Sequence, residues 1–355
     1  MNLSHSTILV APLNWGLGHS TRCIPIINAL IDRGAKVIIA SDGVALGLLQ
    51  KEFPELKSYE LSSYRISYAK DGRLFKLKMM LNAYKILWAM FKERQDVKRI
   101  VKAEKVTAII SDNRLGVFYR GLPNIFITHQ LRVLSGSTTY ISSKLHQQVF
   151  KKYDAVWVPD FESANNLTGR LGHLDKKPKN LVYLGPLSRF EKKEESLVYD
   201  LMVLLSGPEP QRTMLEEKLL TALEQYRGTA LMVQGKIEPQ QQKRELPLSE
   251  GTLTVVNYMQ SEELMQAVRQ SALILCRSGY TTVMDLAKLG KKAFFIPTPG
   301  QYEQVHIAER LDAQKVVPSC SQDDFSLEQL ERVDDYSGLA QFSSEVDFDS
   351  VFSIF

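Results

Sequence analysis

The sequence has few cysteines, no long apolar run and only a small excess of one charge. Its cysteines, Cys23, Cys276 and Cys320, are odd in number and widely spaced, which argues against a disulfide framework or a metal knuckle. No stretch of about 18 uncharged apolar residues is present, and the N-terminus lacks the pattern of a signal peptide. We therefore expect a cytoplasmic protein that meets a membrane, if at all, as a peripheral protein at its inner face.

The net charge of +4 is too small to indicate nucleic-acid binding, but the charge is unevenly distributed. Residues 65–105 contain 12 Lys and Arg against 4 Asp and Glu, whereas residues 321–355 contain 9 acids and a single base. In the basic stretch, apolar residues at spacings of three and four predict an amphipathic helix: Leu74, Leu77, Leu81, Tyr84, Trp88 and Phe91. Two interpretations stay open, namely packing on a sheet with a solvated lysine face and contact with a membrane surface through residues 74–92.

The length of 355 residues favours two domains. Residues 7–41 follow the pattern strand, glycine turn, helix, strand, which is one βαβ unit of a parallel sheet. Later apolar runs predict further buried strands of that sheet: Val106 to Ser111, Asn124 to Thr128, Ala155 to Val158 and Leu181 to Leu184. The first half is therefore predicted to be a doubly wound α/β domain.

A charged segment poor in apolar residues, 189–197, is typical of a linker. After it the alternation of strands and helices begins again. We predict an N-terminal domain at residues 1–188, a second doubly wound domain at 198–335, and an acidic tail at 336–355 that returns to the first domain. Because such sheets bind ligands at the carboxyl ends of their strands, two facing domains would form a cleft.

The segment from Arg277 to Leu286 carries the clearest chemical signal. A buried strand leads through a glycine turn into a helix, whose first amides point outward and form an anion site. Ser278, Thr281 and Thr282 add hydroxyl donors that suit a diphosphate, and Asp285 follows about one turn later, where it suits a pair of sugar hydroxyls. Helix capping is the alternative explanation for Ser and Thr at this position.

The next strand ends in Pro297-Thr298-Pro299-Gly300 and leads to Glu303 and Gln304. Here the chain resembles the C-terminal domain of MurG-type glycosyltransferases and their galactolipid-synthase relatives. The residues that match the family pattern, in order, are Arg277, Gly279, Asp285, Gly290, Pro297, Glu303 and Gln304. The resemblance implies a GT-B fold, with two Rossmann-like domains facing across a cleft, and an inverting transfer from a nucleotide diphosphate sugar.

The resemblance also implies a set of donor contacts. The turn from Arg277 to Thr282, which includes Ser278, Gly279 and Thr281, would meet the diphosphate, and Asp285 would meet the ribose. Glu303 and Gln304 would bind the donor sugar. The remaining implied contacts are the backbone of Tyr258 and Met259 to the base, Arg189 to a phosphate, and Gly207 with Arg212 in the glycine-rich loop. That loop departs from the family pattern, because Pro208 and Pro210 remove two N–H donors.

The N-terminal turn from Asn14 to Ser20 resembles the family's glycine-rich loop, which includes Gly18 and ends in a histidine beneath the reacting sugar. His19 is therefore the candidate catalytic base, since an imidazole is suitably basic near neutral pH. Capping of the helix is the alternative role for His19. Dinucleotide binding is not supported, because Thr21 stands where the third glycine of that motif belongs.

Polar residues also follow two other predicted strands of the first sheet: Asp112, Asn113 and Arg114 after one, His129 and Gln130 after the other. Their position predicts acceptor-side contacts at the cleft mouth, although hydrogen bonding within the loops explains such residues equally well. Acceptors of the family are lipid-linked, which would place this chain in cell-envelope glycan or glycolipid synthesis.

The function expected from these observations is transfer of a hexose or N-acetylhexosamine from a UDP-sugar to an unknown acceptor. No cofactor or metal is expected, because helix N-termini and arginines would meet the phosphate charge and no Asp-x-Asp pair lies near the site. Two alternatives remain. One is a nucleotide-sugar epimerase or hydrolase on the same fold, and the other is a non-catalytic nucleotide-sugar-binding protein.

Overall fold

The computed structural model describes the chain except residues 65–74, 134–138, 237 and 239, and only the backbone of residues 75–86 and 141. It contains two sheets flanked by helices. The first sheet comprises β1 (Thr7–Pro12), β2 (Lys36–Ser41), β3 (Lys57–Glu60), β4 (Ala108–Asp112), β5 (Asn124–Ile127), β6 (Ala155–Val158) and β7 (Leu181–Tyr183). Its helices are α1 (Gly18–Asp32), α2 (Gly43–Glu52), α3 (Phe75–Glu104) and α4 (Thr139–Phe150).

The strands of the first sheet are parallel and lie in the order β3-β2-β1-β4-β5-β6-β7. The order reverses at β1, and β1 and β4 end side by side, with Pro12 opposite Asp112. A crevice opens at such a reversal, beyond the carboxyl ends of the strands. The turn after β1 and the residues after β4 therefore lie next to each other.

The second sheet comprises β8 (Tyr199–Leu204), β9 (Arg227–Val233), β10 (Lys243–Pro247), β11 (Glu250–Val256), β12 (Ser271–Cys276) and β13 (Lys292–Phe295). Its order is β10-β11-β9-β8-β12-β13, and all pairs are parallel except β10 with β11. The accompanying helices are α5 (Gln211–Leu223), α6 (Ser261–Arg269), α7 (Tyr280–Leu289) and α8 (Tyr302–Ala313). The predicted pair of doubly wound α/β domains is confirmed.

The sequence pattern did not indicate two edge strands. β3 has no fully buried residue, and β10 is almost entirely exposed, so neither forms an apolar run. Central strands such as β4 are buried throughout and are therefore visible in the sequence. A strand forms an apolar run in the sequence because both of its faces are buried, and pairing with a neighbouring strand alone does not produce such a run.

The C-terminal segment contacts the first domain. It contains α9 (Phe348–Val351) followed by a short 3₁₀ turn, Phe352–Ile354. Phe352 is fully buried against Trp157 of β6, and the carboxylate of Asp349 accepts hydrogen bonds from Arg33 and the N-terminal amino group. These contacts tie the chain beyond the second sheet to the first domain.

The predicted amphipathic helix corresponds to α3, although Leu74 and the side chains of Leu77, Leu81 and Tyr84 lie outside the described residues. Further along α3, residues such as Val97 and Ile100 pack on the sheet. Leu87, Trp88 and Phe91, by contrast, are 65, 49 and 59% exposed. None of the described helices is both long and apolar enough to cross a bilayer.

Candidate active site

His19 lies in the first turn of α1, which begins directly after the glycine turn that follows β1. Gly16 has a φ of 76°, a left-handed conformation that suits glycine and lets the chain reverse into the helix. The imidazole makes no capping hydrogen bond at the N-terminus of α1; instead its Nδ1 lies 2.9 Å from Oδ1 of Asp112 at the end of β4. Burial lowers the pKa of His19, although Asp112 opposes the shift. The ring is therefore neutral near pH 7 and keeps one nitrogen lone pair.

Arg22, one helical turn after His19, is a further residue of this site. It is buried, and its Nε donates to Oδ2 of Asp112 at 2.5 Å while its Nη2 donates to Oδ1. Burial alone would raise the pKa of Asp112, but Arg22 and His19 outweigh it and hold that pKa well below its usual range. The spacing of three residues from His19 to Arg22 was a visible signal, since it places both side chains on one face of the helix.

Glu303, in the first turn of α8, is a residue of the second domain that contacts the first domain at this site. Nε2 of His129 lies 2.9 Å from Oε1 of Glu303, and the side chain of Gln130 donates to the other carboxylate oxygen. The ring of Tyr280 stacks on that of His129 with centroids 4.5 Å apart. Burial would raise the pKa of Glu303, but the hydrogen bond with His129 and the nearby charge of Arg22 lower it overall. Two predicted acceptor-side residues therefore meet a predicted donor-sugar residue directly.

The turn before α7 faces the glycine turn of the first domain. Gly279 precedes the helix, and Thr281 and Thr282 lie in its first turn, partly exposed. A Cβ atom at Gly18 would lie only 2.5 Å from Oγ1 of Thr281, so the missing side chain permits the two domains to approach this closely. Ser278 has a different role: it is buried, and its hydroxyl donates to the carbonyl of Gln304 at 2.8 Å.

The guanidinium of Arg277 points into the protein. Its Nη1 donates to the carbonyls of Ile296 and Pro297, both at 3.1 Å, and its Nη2 to Gln211 and Gln322. Burial lowers the pKa of Arg277 to about 10, which leaves it charged at neutral pH. Arg277 thus holds together the loops that form the second domain's half of the cleft, and the outward groups of its turn are the α7 amides and the threonine hydroxyls.

Asp285 lies one turn further along α7 and accepts a hydrogen bond from the hydroxyl of Ser188 at 2.6 Å. Burial raises its pKa to about 6, although Ser188 and Arg189 act in the opposite direction. Nη1 of Arg189 donates to the hydroxyl of Ser261 at 2.6 Å. Further hydroxyl donors would stabilise the ionised form of this buried carboxylate.

The loop after β8 contains Gly207 and leads to Arg212. Arg212 pairs with Glu216 at 2.7 Å and also with Glu209, whose carboxylate accepts from the α5 amide of Thr213. An anion that approached Arg212 would have to displace Glu209. Opposite Gly207, the buried hydroxyl of Thr298 has no hydrogen-bond partner among the described residues. No local pattern in the sequence indicated a role for it.

The remaining donor-side residues lie around the same loops. The carbonyl of Tyr258 accepts from the side chain of Gln241 at 2.9 Å, and Met259 packs partly against the main core. The side-chain oxygen of Gln304 accepts from the backbone N–H of Thr298 at 2.8 Å. Gln304 thereby connects the start of α8 to the loop after β13.

Arg114 does not reach the cleft mouth, contrary to its predicted acceptor-side position. It is fully buried, with Nε 2.6 Å from Glu93 and Nη1 2.6 Å from Asp42. Asn113, next to it, has a left-handed φ of 56°, and its side-chain oxygen is buried without a partner in the described part of the chain. Asp112 and His129, as described above, lie in the site itself.

The sequence of the second domain matches a known domain family. Residues 211–335 match the glycosyltransferase family 28 C-terminal domain. Two curated proteins, both described as uncharacterized glycosyltransferases, are similar over most of the chain. That of Methanosarcina mazei is 23% identical over 338 residues, covering 84% of this chain and 81% of the relative. That of Methanopyrus kandleri is 23% identical over 320 residues, covering 83% and 84%.

Solved structures share the two-domain architecture. MurG from Acinetobacter baumannii aligns with a TM-score of 0.56 and 17% identity, over 92% of this chain and 89% of MurG. The calicheamicin glycosyltransferase CalG4 aligns with a TM-score of 0.61 and 12% identity, over 94% and 90%. The spinosyn rhamnosyltransferase SpnG, solved in complex with thymidine diphosphate, aligns with a TM-score of 0.56 and 12% identity, over 93% and 90%.

Proposed function

We propose that this chain, a glycosyltransferase of the GT-B fold whose residues 211–335 match the glycosyltransferase family 28 C-terminal domain, transfers a hexose or N-acetylhexosamine from a UDP-sugar to an acceptor bound by the first domain. The transfer inverts the anomeric configuration and needs no metal. The observation that carries this proposal is that the His19–Asp112 pair lies where the two domains meet. Gly18, next to His19, approaches Thr281, and His129 contacts Glu303 across the cleft.

In this mechanism Nε2 of His19 takes the proton of the acceptor hydroxyl as its oxygen attacks the anomeric carbon. The bond from that carbon to the phosphate oxygen breaks, and the nucleoside diphosphate leaves with the bonding electron pair. Asp112 positions the imidazole when it accepts from Nδ1–H. The amides at the start of α7, with the hydroxyls of Thr281 and Thr282, meet the developing phosphate charge.

The proposed donor subsites are those that the family resemblance implies. Asp285 accepts from the ribose hydroxyls, the backbone of Tyr258 and Met259 holds the base, and Glu303 with Gln304 binds the donor sugar. Arg189 lies beside Asp285 and is available to a phosphate, whereas Arg212 is already paired twice and contributes after Glu209 moves. Gly207 leaves open the space next to the Thr298 hydroxyl.

Donor binding is expected to depend on pH through Asp285. Ribose hydroxyls donate to the ionised carboxylate, so binding favours the deprotonated form. Burial raises the pKa of Asp285 to about 6 in the protein without bound donor, so the affinity for the donor falls as the pH drops through that value. By linkage, the Kd for UDP-N-acetylglucosamine rises about tenfold between pH 7.5 and pH 5. Calorimetry measures this change, and the probe has no phosphate group that titrates near pH 6.

Asp285→Asn is the matched control for that measurement. It should bind the same probe more weakly at pH 7.5 and lose the pH dependence. A wild-type protein that binds no UDP-sugar while folded would support the non-catalytic alternative. Donor consumption at full rate without any acceptor would support the epimerase or hydrolase.

We also propose that the first domain contacts an anionic membrane surface through residues 74–92. The exposed side chains of Leu87, Trp88 and Phe91 support this, together with Lys92, whose ammonium lies 3.9 Å from the Trp88 ring centroid. Apolar anchors flanked by lysines suit an interface with anionic headgroups. Such a surface would bring a lipid-linked acceptor to the cleft.

Sedimentation with phosphatidylglycerol vesicles tests this contact. The double variant W88E/F91E should lose most of the vesicle-bound fraction. Met214→Glu is the control, since Met214 on α5 is exposed to the same 49% as Trp88 but lies in the other domain. Equal binding by wild type and both variants would contradict the contact.

A further inference from the structure

Arg22 is the centre of a hydrogen-bonded chain that joins the two halves of the cleft. Its Nε and Nη2 bond the two oxygens of Asp112, as described above. On its other side, Nη1 lies 3.0 Å from Nδ1 of His129, and Nη2 lies 2.8 Å from Nδ1 of His19. One buried cation therefore contacts a carboxylate and two imidazoles, and the imidazole of His129 reaches Glu303 of the other domain.

Arg22 determines which ring nitrogen of His129 accepts a hydrogen bond. A guanidinium has only donors and does not lose its proton in proteins, so Nδ1 of His129 must accept. The ring proton of neutral His129 is then on Nε2, where it donates to Glu303 at 2.9 Å. The contact with Glu303 and the contact with Arg22 thus support the same tautomer.

His19 faces two incompatible partners through one nitrogen. Its Nδ1 lies 2.8 Å from a donor, Nη2 of Arg22, and 2.9 Å from an acceptor, Oδ1 of Asp112. A neutral imidazole nitrogen either accepts or donates, but not both. If Nδ1 accepts from Arg22, the proton is on Nε2 and the ring cannot take a proton from an acceptor hydroxyl there. If Nδ1–H donates to Asp112, Nε2 is the free base.

We infer that Arg22 is a positioning residue that selects the tautomer of His19 and holds it in the Nε2–H form while Glu303 is bound to His129. A donor sugar that takes up the carboxylate of Glu303 removes the acceptor of His129. Arg22 then loses its hydrogen bond to His129 and bonds Asp112 alone. His19 releases its Nε2 proton to solvent and takes a proton from solvent at Nδ1, and Asp112 accepts a hydrogen bond from this Nδ1–H. The base becomes active only once the donor is in place. This inference rests on the proposed role of His19, which it regulates.

The charged and titratable groups that face His19 come from each half of the cleft. Asp112 comes from β4, Arg22 from α1, His129 from the residues after β5, and Glu303 from α8. Cys23 on α1 lies beyond Asp112, with Sγ 3.7 Å from Oδ2. Burial and the Asp112 carboxylate raise the pKa of this thiol, so it stays neutral.

Nitrogen NMR of the ring tests the tautomer without any turnover. The chain has 6 histidines, so ¹⁵N-histidine labelling gives few signals, and His19→Gln assigns the one of interest. In ligand-free wild type near pH 7 the proton is expected on Nε2. In Arg22→Lys it should move to Nδ1, because an ammonium keeps the charge beside Asp112 but lacks the fork that reaches His19.

Two further variants complete the test. Glu303→Ala is expected to shift His19 toward Nδ1–H as well. This variant tests the inference if Arg22→Lys does not fold. Arg33→Lys, at the end of the same helix, should leave the tautomer unchanged. Wild-type His19 found as Nδ1–H, or a tautomer that neither Arg22→Lys nor Glu303→Ala alters, would overturn the inference. The proposed catalytic role would survive that result, since it depends on activity and not on the resting tautomer.

Discussion

Replacing His19 with glutamine is expected to lower kcat by about 100- to 10,000-fold, the usual contribution of a general base. Glutamine fills a similar space but cannot take a proton from the acceptor hydroxyl. The proposed donor contacts of α7 and α8 do not include His19, so the Kd for the nucleotide sugar should change by less than about twofold. The expected result is therefore a loss of turnover with intact donor binding.

The measurement compares product formation and donor binding in the same preparation. His5→Gln is the control, because His5 is exposed and lies before β1, away from the cleft. Equal losses of turnover and donor affinity in His19→Gln would mean that His19 shapes the donor site and does not act as the base.

The second large effect is expected on stability. Arg114→Met removes a buried cation whose Nε and Nη1 each lie 2.6 Å from a carboxylate oxygen, of Glu93 and Asp42 respectively. Both carboxylates are buried, so the variant leaves them without their cation. Burial already raises the pKa of Glu93, against the effect of Arg114. Breaking such a pair costs about 3–5 kcal/mol of unfolding free energy.

Urea denaturation measures that loss. Arg99→Met is the matched control, since Arg99 pairs with Asp96 on the same domain but is 78% exposed, and exposed pairs contribute about 0–1 kcal/mol. At a temperature where both variants stay folded, transfer activity should be close to wild type. A stable but inactive Arg114→Met would restore the acceptor-side role predicted from its position in the sequence.

Two kinds of information were available from the sequence. Fully buried parallel strands such as β4 and β5 form mainly apolar runs. The turns with Gly16 and Gly279 mark where α1 and α7 begin. The architecture and the location of His19 and Asp285 on helices that follow buried strands can be predicted from these local patterns. The exposed edge strands β3 and β10 carry no such pattern, so they were not predicted.

The roles of the arginines were decided by tertiary structure. In the sequence, Arg114 and Arg277 closely follow a strand, and Arg22 lies in the helix after β1. The fold buries all three, and burial of a cation requires partners: a carboxylate and two imidazoles for Arg22, two carboxylates for Arg114, and carbonyl and amide oxygens for Arg277. Those partners come from elements far apart in the chain, and no local pattern encodes their meeting.

The sequence by itself determined that the chain forms two doubly wound domains and that a histidine follows the first glycine turn, because burial and turn geometry are local properties. Only the tertiary structure decided that His19, Asp112, Arg22 and Glu303 belong to one hydrogen-bonded chain. Hydrogen bonds act over about 3 Å, and atoms this close are brought together by the packing of the two sheets.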